Sequence, residues 1–227
     1  MKKAHNTIIL LLVCFVVFSG HAQAGGDEFN GIIVYNISYG DTDIDPQMIA
    51  MMPKTMKMKI KGKNSRTEIS MGMGSTIVVF NDETKSGFTL MDMMGQKYAM
   101  EMTAEELEQN IEKEPDMNVE VTGEIKEIAG YTCKKAIVKS NEAGAENLEM
   151  IVYFTDELGS GMLNYNNPLF KDVKGVMMEY SMKENDMNMT FSAISVTKKK
   201  IGDEEFEIPE GYNVMSMSDF ENMFGGH

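Results

Sequence analysis

Strict alternation of apolar and charged residues is the feature that most limits the fold of this chain. In the stretch TMKMKIKGK, Met56, Met58 and Ile60 fall on one parity and three lysines fall on the other. Successive side chains of a β-strand point to opposite faces, so the pattern predicts a strand with one buried and one solvated face. The apolar residue used is unusual, because after residue 24 the chain has 23 Met against 6 Leu.

Strand-like patterns recur along most of the chain. They occupy residues 31–39, 55–62, 75–80, 95–102, 119–125, 148–154, 176–182 and 187–193. Two of these segments, 75–80 and 148–154, are apolar on both parities, which predicts strands covered on both faces. Turn residues separate the segments. We therefore predict a mainly β protein of about ten strands, joined as antiparallel hairpins.

Two or three short helices are predicted between the strands. Thr103 and Glu106 form a capping box at the start of an amphipathic run. Asp45 is placed to cap the segment PQMIAMM (46–52), and Ser218 to cap a last turn near the C-terminus.

The N-terminus has the form of an export signal. Two lysines precede 11 uninterrupted apolar residues, 8–18, and the motif AQA follows as a cleavage site. A run of this length is too short for a bilayer-spanning helix, which needs roughly 20 residues. We expect cleavage between Ala24 and Gly25 to remove residues 1–24 as a signal peptide. A single β domain, 25–227, would then act in the periplasm or outside the cell without spanning a membrane.

The residues left after such cleavage argue against enzymes and metal sites. His227 would be the one remaining histidine, which excludes Ser-His-Asp and Cys-His arrangements and zinc sites with several His or Cys ligands. No Gly-rich phosphate loop follows a strand, although chance pairs among the 35 acidic residues stay open as candidates. The net charge of -14 argues against nucleic acid as a partner. We expect no enzymatic activity, no cofactor and no bound metal.

Cys133, in GYTCKKAIV, would be the single cysteine of the cleaved chain. We expect a small buried side chain and not a reactive thiol. No histidine is available to lower its pKa, and strand alternation turns Lys134 to the other face.

The abundance of methionine has three interpretations. Thioethers prefer Cu(I), so the chain could carry copper, although Met56 and Met58 would lie about 6.6 Å apart along one strand. Methionine could also replace leucine in the closed core of a structural or protein-interaction module. We favour the third interpretation, a deformable apolar groove, because methionine is flexible and suits surfaces that accept ligands of varied shape.

Five stretches in order along the chain resemble a family of secreted bacterial proteins, domain of unknown function 4412. They are FNGIIVYNISY, MPKTMKMKIKGKNSRTEI, FTLMDMMGQKYAM, EIKEIAGYTCKKAIV and FEIPEGYNVM. Such proteins are similar to the lipoprotein-carrier (LolA-like) superfamily. The resemblance implies an open (incomplete) antiparallel β-barrel with short helices as lids over a concave apolar face. The better-known members of that superfamily bind acyl chains of lipoproteins or sense misfolded envelope proteins.

Strand parity supplies the candidate ligand wall. Six residues lie on the apolar parity of one-sided strands: Met56, Met58, Tyr98, Met100, Met178 and Tyr180. The amphipathic segments 46–52 and 103–112 are the candidate lids. We predict a non-catalytic envelope protein that binds an apolar small molecule, a lipid or a lipidated protein in a Met-rich concave face. A closed-core envelope module is the alternative, and a Cu(I)-binding protein is the least favoured one.

Overall fold

The computed structural model describes residues 29–40, 45–72, 74–141, 149–159, 161–184 and 187–224. Within these ranges the chain forms twelve strands and three α-helices. The strands are β1 (Asn30–Gly40), β2 (Thr55–Lys61), β3 (Asn64–Met71), β4 (Gly74–Asn81), β5 (Ser86–Met93), β6 (Gln96–Met102), β7 (Met117–Ile128), β8 (Tyr131–Ser140), β9 (Glu149–Thr155), β10 (Val176–Glu184), β11 (Met187–Lys198) and β12 (Asn213–Ser216). The helices are α1 (Pro46–Met51), α2 (Ala104–Lys113) and α3 (Met217–Phe224). The predicted signal peptide lies outside the described residues.

All described strands belong to one sheet, in the order β12-β6-β5-β4-β3-β2-β1-β11-β10-β9-β8-β7. Neighbouring strands pair antiparallel, except that the short strand β12 runs parallel to β6. The sheet stays open, with β12 and β7 at its two edges. The mainly β, barrel-like open fold predicted from the sequence is therefore confirmed, with twelve strands where about ten were expected.

One face of the sheet can be followed from strand to strand by its register. Tyr35 of β1 lies opposite Met56 of β2, and Met58 lies opposite Thr67 of β3. Thr67 in turn lies opposite Val78 of β4. Directly opposed residues point to the same side of a sheet. We call the side that carries these residues the inner face, and the other side the outer face.

The main hydrophobic core involves β1, β2 and β7–β11. Ile33, Val152 and Met178 are fully buried there. A connecting segment between β9 and β10, residues 161–175, adds Phe170 to this core.

The two segments that are apolar on both parities behave differently. In β4, Val79 and Phe80 are both buried, as predicted for a strand covered on both faces. In β9, Val152 is buried but Ile151 is 44 % exposed, so one face of this strand is open. The prediction for β9 was wrong because apolar content in a strand does not show which layers cover it.

Charged side chains of β2 and β3 fix a segment that lies on the outer face. Residues 199–212, which we call the strap, connect β11 to β12. Lys59 Nζ lies 2.7 Å from Glu205 of the strap and 2.8 Å from Glu68. Arg66 donates a hydrogen bond of 2.9 Å to the Glu205 carbonyl. The lysine parity expected to be solvated therefore partly holds the strap in place.

The predicted helix starts are present at α1 and α2. Asp45 accepts a hydrogen bond of 2.7 Å from the Gln47 amide, and the capping box of Thr103 and Glu106 is complete. Leu107 is the buried residue of α2. No helix in the described ranges combines the length and the apolar character needed to cross a membrane.

Candidate functional site

A cavity of about 300 Å³ lies between the inner face and the connecting segment. The sheet contributes Tyr35, Met56, Met58, Ser65, Thr67, Val78, Met177 and Tyr180 to its lining. The connecting segment contributes Leu163, Asn164, Asn166, Asn167 and Pro168. We call this space the inner cavity. A second cavity of about 410 Å³ beside Phe206 contains none of the six residues predicted from parity.

Hydrogen bonds hold the connecting segment over the sheet. The buried Asn164 side chain donates bonds of 2.6 Å and 2.8 Å to the carbonyls of Val173 and Gly175. Asp82, in the turn between β4 and β5, accepts a bond of 3.0 Å from the Met162 amide. The segment is therefore fixed both to itself and to a distant hairpin, which leaves space beneath it.

The tip of this hairpin makes two further contacts with the segment. The Lys85 ammonium lies 4.4 Å from the centre of the Tyr165 ring, a cation–π geometry. A Cβ added to Gly161 would lie 2.2 Å from the Asp82 carboxylate, so a larger residue at this point would have to displace that carboxylate.

Two tyrosine–methionine pairs form part of the cavity wall. The Tyr35 hydroxyl donates to the Met177 carbonyl at 2.9 Å and lies 3.9 Å from the Met58 sulfur. The Tyr180 hydroxyl lies 4.0 Å from the Met56 sulfur. Burial raises the pKa of both tyrosines above the usual range, so both hydroxyls stay protonated and act as donors at neutral pH.

Three of the six residues predicted from parity meet in the inner cavity, namely Met56, Met58 and Tyr180. Met178 is fully buried in the core, and its neighbour Met177 lines the cavity. The pairing of β10 with β9 shifts register between Met177 and Glu179. Such a bulge interrupts the alternation of side chains, so simple parity fails at Met178.

The remaining two residues lie on β6, which β3, β4 and β5 separate from β2. Register places Tyr98 and Met100 on the inner face, through the pairing of β6 with β5 and of β5 with β4. Met100 is only 1 % exposed, and the Tyr98 ring packs edge-to-face on Phe220 of α3 at 5.8 Å. Neither residue lines the inner cavity, and their role in binding stays a prediction.

The cover of the inner cavity differs from the predicted lids. Neither 46–52 nor 103–112 contributes to the lining, and α1 buries none of its residues. Residues 163–168 cover this part of the sheet. Sequence reasoning missed them because LNYNNP has the composition of a surface turn. The apolar residues Leu169 and Phe170 directly after it were the available signal that the segment packs inward.

A second population of methionines is exposed at one end of the sheet. They lie on α1, at the β3–β4 turn and at the β5–β6 turn: Met48, Met51, Met71, Met93 and Met94. Antiparallel pairing brings these three connections to the same end. Methionine therefore occupies three environments in this protein: core, cavity wall and exposed turn.

Cys133 is fully buried in the core. Burial, reinforced by the nearby Glu127 carboxylate, raises the pKa of its thiol to about 11. Cys133 is thus protonated at neutral pH, as its buried position predicted. Among the described residues, no group of three or more His, Cys, Asp or Glu is arranged to hold a metal ion.

The fold and the cavity define a class: a barrel-like protein with one open sheet and a partly covered pocket on its inner face. Residues 29–212 match the model of the family described as domain of unknown function DUF4412, and the chain belongs to that family. This confirms the resemblance noted in the sequence. A comparison with curated protein sequences finds no match.

Solved structures give weaker similarities. The structure of PNGF-II has a TM-score of 0.52 at 16 % identity, and the match covers 86 % of this chain. This chain spans only 32 % of PNGF-II, so the likeness concerns the fold of that part. A β-barrel-like DUF1849 protein from Brucella abortus matches with a TM-score of 0.35 and 9 % identity over 76 % of this chain and 99 % of its own. A LolA superfamily protein from Nitrosomonas europaea matches with a TM-score of 0.23 and 6 % identity over 80 % and 91 %.

Proposed function

We propose that this protein is a non-catalytic binding protein of the bacterial envelope that takes an apolar ligand in the inner cavity. The observation that carries the proposal is the convergence of Met56, Met58, Met177 and Tyr180 on one space beneath the connecting segment. The volume of about 300 Å³ lies at the lower end of the range of small-molecule sites, about 300–1,000 Å³.

The methionine wall supports a ligand of variable shape. Thioether side chains are unbranched and change conformation at low cost, so they adapt to chains that differ in length or branching. Met58 is only partly buried, so its side chain has room to move. A lipid or the acyl part of a lipidated protein fits these properties.

The inner face offers a route for a ligand longer than the cavity. Ile69 of β3 lies opposite Met56, and Met91 of β5 continues the same row through Thr76. Ile69 and Met91 are both partly buried. An acyl chain that starts in the inner cavity would follow this row across the sheet toward β5.

Protein purified from its own host provides the first test. Native mass spectrometry is expected to detect an apolar molecule that travels with the protein, and an environment-sensitive dye is expected to gain fluorescence with the delipidated protein. A wild-type protein that carries no such molecule and never binds the dye would contradict the proposal.

A pair of substitutions localises the binding. In Met58→Glu, the new carboxylate reaches water through the cavity, so the protein should stay folded with a melting temperature only a few degrees lower. Dye binding should be lost, because a charge then lies on the apolar wall. The control Met94→Glu makes the same change at a residue that is 87 % exposed, and it should bind dye like the wild type. Unchanged binding by Met58→Glu would remove the inner cavity as the site.

A further inference from the structure

We infer that the inner cavity selects ligands whose polar end is uncharged, such as a glyceride, an alcohol or an amide, over the matching carboxylate or ammonium. The inference rests on the proposed function, since it concerns the same cavity. Seven of the described lining residues have side chains that can donate or accept hydrogen bonds, and none of the described lining residues carries a charge.

Two hydroxyls on β3 supply the first polar contacts. The side chains of Ser65 and Thr67 both line the cavity, and Ser65 is only 4 % exposed. Neither hydroxyl is hydrogen-bonded to another described residue. Among the described residues, every fully buried side-chain oxygen or nitrogen has a hydrogen-bond partner, so these two hydroxyl oxygens are not fully buried. Both hydroxyls therefore reach the open space of the cavity, where a ligand can pair with them.

The connecting segment supplies an amide, and β10 of the sheet supplies a phenol. Asn164 uses its amide nitrogen to bind the Val173 and Gly175 carbonyls, so its amide oxygen is left as an acceptor. The Tyr180 hydroxyl has only the Met56 sulfur, 4.0 Å away, as an acceptor among the described residues. Sulfur is a weak acceptor, so this hydroxyl is available to a stronger one. Donors and acceptors thus face the same space, a combination that matches a hydroxyl or amide group.

A charged group would find no counter-ion in this space. Two charged side chains that contact the connecting segment lie outside the lining and are already engaged: Asp82 accepts from the Met162 amide, and Lys85 lies over the Tyr165 ring. A carboxylate or an ammonium that enters the cavity would lose hydration without gaining a partner of opposite charge. We expect this difference to reach about tenfold in Kd or more.

Three probes with the same ten-carbon chain test the selection: monodecanoylglycerol, decanoate and decyltrimethylammonium. Each is titrated below its critical micelle concentration into the delipidated wild-type protein and displaces the bound dye. The glyceride should bind at least about tenfold more tightly than either charged probe. Equal or tighter binding of decanoate or of decyltrimethylammonium overturns the selection and leaves the proposed function intact. Failure of all three probes to bind overturns both.

A lysine placed in the wall should reverse the preference. In Thr67→Lys the ammonium gives decanoate a partner, so decanoate should bind more tightly than the glyceride. Ser70→Lys adds the same charge on the same strand at an exposed position of the outer face, and it should keep the wild-type order. An unchanged order in folded Thr67→Lys contradicts the inference. The wild-type titrations decide the matter if this variant does not fold.

Discussion

The surroundings of Met178 and of Met58 show two outcomes for the same side chain. Met178 is fully buried in the main core, in the same cluster as Ile33 and Phe170. Met58 lies partly buried on the wall of the inner cavity. Both were chosen from strand parity, yet one fills a close-packed layer and the other borders open space. The layer that covers each residue makes the difference, and the number of methionines in the chain does not.

The covers differ in chemistry. Met178 is fully buried within a cluster of hydrophobic side chains. Over Met58 the facing segment carries three asparagines in the cavity lining, and it is held by the hydrogen bonds of Asn164 and Asp82. Polar anchors fix the height of the segment without filling the space below it. A cavity remains where an apolar cover would have closed onto the sheet.

The largest effect on stability is expected from a carboxylate placed in the main hydrophobic core. Met178→Glu should lower the free energy of unfolding by roughly 3–5 kcal/mol, because a buried charge has no partner there. Urea titrations monitored by circular dichroism measure this loss of stability, which would appear as a shortened or missing folded baseline. The control Met178→Leu should cost less than about 1.5 kcal/mol. A stable Met178→Glu protein would mean that the two regions do not differ as described.

The reactivity of Cys133 gives the next largest effect. The thiol is buried and its pKa is raised to about 11. Iodoacetamide at pH 8 should therefore modify the native protein at least about a thousandfold more slowly than the protein in denaturant, because modification requires opening of the core. Mass spectrometry over time measures both rates. Similar rates in the two conditions would show that the main hydrophobic core opens readily.

Asn164 tests the boundary between the two regions. Asn164→Ala removes the donor for the Val173 and Gly175 carbonyls, so the free energy of unfolding should fall by about 2–3 kcal/mol. Dye binding should fall as well, because the cover of the cavity loosens. Asn166→Ala is the matched control, since its side chain lines the cavity without a hydrogen bond to another described residue. Equal losses of stability in both variants would contradict the anchoring role of Asn164.

The smallest effect concerns Glu68 on the outer face and the dependence of the protein's stability on pH. Burial acts to raise the pKa of Glu68, but hydrogen bonds from Lys59 and Arg66 outweigh it and lower the pKa. A lowered pKa in the folded state stabilises the protein above the usual carboxyl value of about 4.3. This contribution disappears as the pH falls through the lowered value. Glu68→Gln should therefore reduce the gain in stability between about pH 3 and pH 5 by less than about 1 kcal/mol.

Urea midpoints at pH 3, 4, 5 and 7 measure the contribution of Glu68. Glu101→Gln, at an exposed residue of the outer face, is the control and should follow the wild type. A loss of stability in Glu68→Gln that is the same at every pH would rule out the ionisation of Glu68 as its cause.

The sequence predicted most strands because alternation is a local property. The opening stretch TMKMKIKGK became β2, and Met56 is buried while Lys57 is exposed. The predicted strand list lacked β3, β5, β8 and β12. Of these, β3 has the sequence NSRTEISM, with polar residues on both parities. Its inner-face residues Ser65 and Thr67 are polar because they border the cavity. The polar character of these two residues explains both why β3 was not predicted and why its contacts with the cavity were not predicted.

The sequence by itself determined the fold class, the family and the face to which most one-sided strand residues point. These follow from local periodicity and from motifs spread along the chain. Only the tertiary structure decided which apolar residues border a cavity. That decision depends on a bulge that moves Met178 into the core, and on Asp82 and Met162, which meet although 80 residues separate them. Periodicity shows which side of a strand is apolar, but the layer that covers it comes from distant parts of the chain.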